Sequence, residues 1–134
     1  MRFLFHPLAV HFPVALLLTS ALLDLLYLRR GDPFHFRAAR GLIGLGLLGA
    51  AVSIATGFAD ALPLAVEGVG QAFVDRHRVH QVFAYLATLT YAASFLIRWR
   101  RPSASGAVVA ALMLAGAALI AVTGWLGGEL RLAM

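Results

Sequence analysis

Long apolar runs separated by short polar breaks organise this chain. The runs are Leu8–Leu28, Ala38–Ala61, Val79–Ile97 and Ala107–Leu126. Each approaches the ~20 residues that an α-helix needs to cross the hydrocarbon core of a bilayer. The breaks carry turn chemistry. Gly31-Asp32-Pro33 closes the first and Pro102-Ser103-Ala104-Ser105-Gly106 the third. The second, Leu62–Arg76, is the longest; it holds Pro63, Gly68 and Gly70 and is long enough to hold a short interfacial helix. The pattern predicts an all-α membrane protein, a four-helix transmembrane bundle forming one transmembrane domain over residues 1–134. Its first apolar run is too long for the core of a cleaved signal peptide and is expected to remain as a membrane span.

Composition agrees with this pattern. The chain is 61% hydrophobic and 13% charged, too few charges to cover a soluble domain of this size. It has no cysteine, which excludes disulfides, thiolate metal sites, iron–sulfur ligation and covalent c-type haem. The formal charge of +5 comes with eleven arginines and no lysine. Because these flank the apolar runs, they imply membrane-edge charges and no nucleic-acid partner. Arg29, Arg30, Arg37, Arg40, Arg98, Arg100 and Arg101 fall on one side. Arg2, Arg76, Arg78 and Arg131 fall on the other, with Asp60, Glu67, Asp75 and Glu129. Seven against four puts the first group in the cytoplasm and both termini outside. Trp99 and Trp125 lie near opposite ends, as interface anchors should.

Short motifs recur. Thr56-Gly57-Phe58 is echoed by Thr123-Gly124-Trp125 at an offset of 67, His11 by His80 at 69, and His6 by His77 at 71. The expectation is two helical hairpins as parallel repeats about a pseudo-two-fold axis along the membrane normal. The second and fourth runs are rich in Gly and Ala, which lets helices approach closely in lipid or leaves room for a flat cofactor.

Four of the five histidines fall at the outer end: His6 and His11 open the first run, His77 and His80 the third. Neutral imidazole is the commonest metal and haem-iron ligand. His6 and His11 are five residues apart, about 140° around a helix, and should not share a face. His77 and His80 are three apart and should. The repeat pairs His11 with His80 as axial ligands of haem b. Ala84, Ala87 and Tyr91 below His80 would leave porphyrin room. His6 and His77 would bind a second iron, cap helices or meet propionates, which Arg76 and Arg78 would also pair. Asp60, the acid nearest the outer end of the second helix, is the expected acceptor for a ligand's second ring N–H, or else an ion-pair partner of Arg76 or Arg78. A Zn, Fe or Cu ion held by two to four of these histidines with Asp60 or Glu129 is the alternative. Asp24, one turn inside the cytoplasmic end, should pair with an arginine there, Arg98 foremost. His35 lies in the cytoplasmic loop, away from the others. Neither a nucleophile with its base nor a phosphate-binding loop is recognisable, so an electron-transfer or accessory subunit is expected rather than a stand-alone enzyme.

His6-Pro-Leu-Ala-Val-His-Phe-Pro-Val-Ala-Leu resembles the opening signature of the bacterial membrane-protein family DUF2231, and Thr123-Gly-Trp-Leu-Gly-Gly-Glu-Leu is similar to its last-helix signature. The resemblance spans essentially the whole chain. It implies residence in a bacterial inner membrane. It also implies a redox setting, with a c-type cytochrome or Rieske protein as partner. Alternatively, the chain is a non-catalytic accessory subunit of a larger membrane complex.

Overall fold

The computed structural model describes residues 5–66, 70–102 and 104–132, without the side chains of 62–66 and 131–132. Arg2, Glu67, Gly68 and Ser103, and the side chains of Pro63 and Arg131, therefore lie outside the described residues. The elements are α1 (His6–Ala9), α2 (His11–Arg30), α3 (Pro33–Val66), α4 (Gln71–Arg100) and α5 (Gly106–Leu132). α1 and α2 form one span of 25 residues, interrupted at Val10. Pro13 explains the interruption: it has no N–H to give the Ala9 carbonyl, so one rung of the ladder is missing. Val10 itself keeps helical angles, φ −68° and ψ −24°, and its N–H still reaches the His6 carbonyl at 3.1 Å.

The four spans are long and apolar enough to cross a membrane. Each helix outruns its apolar stretch at one end or both, because the helical ladder continues into polar residues once started. The largest difference is at the second connection. α3 runs to Val66 and α4 begins at Gln71, so the expected loop over Leu62–Arg76 is mostly helix, and its described residues continue α3 and α4 rather than form a separate interfacial helix. The first connection follows its sequence. Gly31 ends α2 in the left-handed region at φ 69° and bonds the Tyr27 carbonyl. Asp32 accepts the Phe34 N–H at 2.8 Å, and Pro33 opens α3.

α2 packs on α3 and α5, and α4 packs on α5 and α3. α2 and α4 thus stand on one diagonal of the bundle. Their side chains meet in the centre, where Leu17, Ile43, Ala87, Tyr91 and Ile120 form the core. At one end of that core Arg98 forks onto Asp24 with two bonds of 2.7 Å. The pair expected from sequence is present and fully buried, at 1% and 2% exposure. Arg98 also donates Nε to the Ser94 hydroxyl at 3.0 Å and lies 5.1 Å over the Phe36 ring.

His80 and Arg98 are eighteen residues apart on α4, about 27 Å along a helix. That matches the ~30 Å hydrocarbon thickness. The histidine layer and the ion-pair layer therefore mark opposite membrane boundaries. Trp125 and Trp99, 67% and 64% exposed, sit at the same two levels as anchors.

Candidate functional site

Three of the four clustered imidazoles come together at the end opposite the ion pair. The His6 and His80 rings lie 6.2 Å apart, edge to face at 83°. His77 lies 6.5 Å from His80 on the same face of α4 and stacks on Phe73 at 6.2 Å.

The two closest rings are held alike. His6 Nδ1 faces the Ser53 carbonyl at 2.7 Å. His80 Nδ1 faces the Thr123 carbonyl at 3.1 Å. A carbonyl only accepts, so each Nδ1 carries a proton, and in the neutral form of such a ring the lone pair is on Nε2. A glycine lets the helix carrying the carbonyl come close. A Cβ at Gly57 would stand 3.1 Å from His6 Nδ1, and one at Gly127 3.2 Å from His80 Cε1. Ser53 and Thr123 are also bonded to their own helices, through Gly49 and Leu119 carbonyls.

Asp60 accepts the backbone N–H of His6 at 2.8 Å. This differs from the expected bond to a ring nitrogen. His6 opens a helix, so its N–H has no carbonyl four residues back, and Asp60 on α3 supplies the acceptor. His80 lies inside α4, where the ladder satisfies its N–H. Asp60 thus anchors His6 through the main chain.

The other expected positions are distributed differently. His11 is exposed on the outer face of α2, so the structure brings His6, not His11, to His80. Five residues of helix rotate one ring in and the other out, as their spacing requires. Arg76 and Arg78 are exposed on the first turns of α4. With Asp75, Val79, Leu126, Glu129 and Leu130, Arg76 lines an open cavity of about 230 Å³ on the outer side of α4 and α5, smaller than the usual few hundred Å³ of a ligand site. The room expected below His80 is filled. Ala87 is buried in the core, and the Tyr91 ring occupies the groove at Gly116, where a Cβ would come within 2.9 Å. His35 falls in the first turn of α3 rather than in a loop; its Nδ1 is buried with no hydrogen-bond partner among the described residues.

Among the described residues, no three His or carboxylate side chains converge closely enough to hold a metal ion. The donor set is therefore a pair of imidazoles with His77 beside it. Two imidazoles sharing one ion at about 2 Å per bond have ring centroids on the order of 6 Å apart, the separation found here.

These features define a four-helix integral membrane protein with a two-imidazole site at one membrane boundary. The chain belongs to the family described as predicted membrane protein (DUF2231), whose model matches residues 3–134. No curated protein and no solved structure shows significant similarity to it.

Proposed function

We propose that this protein is a haem b-binding electron-transfer subunit of the bacterial inner membrane, in which His6 and His80 would hold the iron at the periplasmic boundary. The observation that carries this reading is the matched pair of Nδ1–carbonyl bonds. They fix both tautomers and leave two Nε2 atoms available on rings 6.2 Å apart. Bound haem would supply one-electron chemistry at its iron. The chain's own residues hold and orient: Ser53 and Thr123 set the tautomers, Asp60 anchors the His6 main chain, and the filled core beneath keeps any cofactor at the outer rim. That location favours exchange with a periplasmic carrier such as a c-type cytochrome or Rieske protein. Arg76 and Arg78 are the cations nearest in sequence to His77 and suit propionates or an acidic partner surface.

The test is an absorption spectrum of the detergent-purified protein, with haem extraction and metal analysis. Low-spin haem b bands are expected. His6→Ala and His80→Ala should each abolish them or convert the iron to high spin, and His11→Ala should leave them unchanged. Bound Zn, Fe or Cu without haem would transfer the site to a bare ion held by His6 and His80. A folded wild-type protein with neither would leave the accessory-subunit role.

A further inference from the structure

The contacts of one helical pair recur in the other at constant offsets. Groups on the first span (α1 and α2) and on α4 meet across the bundle as His6 with His80, Tyr91 Oη with the Leu17 carbonyl, and Asp24 with Arg98. Each of these pairs is 74 residues apart. On α3 and α5 the offset is 70. Ser53 and Thr123 meet His6 and His80, Gly57 and Gly127 approach the same rings, and Gly46 and Gly116 lie against Leu17 and Tyr91. A position that touches its own counterpart lies on the axis relating the two halves. Three such layers stack along one line, from the histidine boundary to the ion-pair boundary.

We infer that Asp24 and Arg98 are positioning residues: a complementary pair on the axis between the hairpins, which seats the first hairpin against the second and so holds His6 opposite His80. Like charges at an axial position would face each other without water, whereas opposite charges attract. Asp on one hairpin and Arg on the other therefore favours unlike hairpins. Two first hairpins would bury two aspartates together, and two second hairpins two arginines.

Ser20 supports this assignment. It is the counterpart of Ser94, and both are buried, at 0% and 2% exposure. Ser94 accepts the Arg98 Nε. Ser20, one turn before Asp24, bonds the Leu17 carbonyl of its own helix at 2.7 Å and no other partner among the described residues. An arginine at position 24 would find in Ser20 the acceptor that Arg98 finds in Ser94. Only the Phe36 face lacks an equivalent, because its counterpart is Gly106.

The inference rests on packing and not on what the imidazoles bind, so its readouts involve no cofactor. Spin labels at exposed Leu8 and Val79 would report hairpin placement at the histidine end of the detergent-solubilised full chain. Light scattering would give the oligomeric state. Asp24→Arg or Arg98→Asp alone should lower Tm by roughly 10 °C, broaden the distance distribution and promote association. The exchanged protein, Asp24→Arg with Arg98→Asp, should recover the wild-type distribution and assembly. Asp24→Leu with Arg98→Met should stay folded with an undiminished Tm, yet form larger assemblies through like hairpins. An exchanged protein as disordered as the single reversals would overturn the inference. So would an apolar pair with wild-type distances and assembly.

Discussion

A single missing Cβ determines how each imidazole is held. Gly127 lies against His80, but Gly124 and Gly128, on the same helix, have nothing within 4 Å of an added Cβ. Gly127→Ala would place a methyl 3.2 Å from His80 Cε1, so the ring must give by a few tenths of an ångström. A metal–nitrogen bond of about 2 Å tolerates such displacement poorly. If the pair holds haem as proposed, the expected result is a 10–100-fold loss of haem affinity, by analogy with groups that orient metal ligands, with little change in Tm. Haemin titration of the apoprotein checks it. Gly124→Ala and Gly128→Ala should titrate like wild type; equal losses in all three would show that helix composition, not contact with His80, sets affinity.

At the scale of the helices, small residues set how close the neighbouring pairs α2–α3 and α4–α5 come. A Cβ at Gly46 would lie 2.6 Å from Leu17 Cδ2, and one at Gly116 2.9 Å from Tyr91 Cζ. Both positions lie deep in the bundle, with neighbours already in close contact. Gly46→Ala and Gly116→Ala should each cost about 1–3 kcal/mol by overpacking. Gly41, with nothing within 4 Å, should gain up to ~1 kcal/mol on conversion to Ala from helix propensity alone. Unfolding midpoints in mixed micelles separate the two signs, and a neutral Gly116→Ala would mean that the Tyr91 layer is loosely packed.

These same helices show what was legible in the sequence. The four spans followed directly from apolar runs, and the Asp24–Arg98 pair from one acid and one base at the same depth. The contact register did not follow. Thr56-Gly57 matched to Thr123-Gly124 gives an offset of 67, whereas the contacts recur at 70. The difference is three residues, nearly one helical turn, so the motif match kept roughly the right face while slipping along the axis. His11 matched to His80 slipped by five residues and changed face. The Ser53 carbonyl and the Asp60 anchor were invisible for another reason: a main-chain acceptor or donor leaves no residue-type signal. The break at Val10 was readable from Pro13.

For the whole molecule, the remaining question is which boundary faces outward. Arg29, Arg30, Arg37, Arg40, Arg98, Arg100 and Arg101 gather at the ion-pair end, where Arg40 also lies 5.4 Å over Trp99. At the histidine end the basic residues Arg76 and Arg78 are accompanied by Asp60, Asp75 and Glu129. Lys and Arg next to spans resist translocation, and acids contribute little to that bias. The ion-pair end should therefore be cytoplasmic and the histidine end periplasmic. Phe34 and Ala72 are exposed at the two ends, at the starts of α3 and α4, and the chain has no native cysteine. In intact spheroplasts, Ala72→Cys should react with a membrane-impermeant maleimide and Phe34→Cys should react only after lysis. The reverse pattern would put the imidazole pair on the cytoplasmic side, out of reach of a c-type cytochrome or Rieske partner, and any electron exchange there would have to use a cytoplasmic or membrane-embedded carrier.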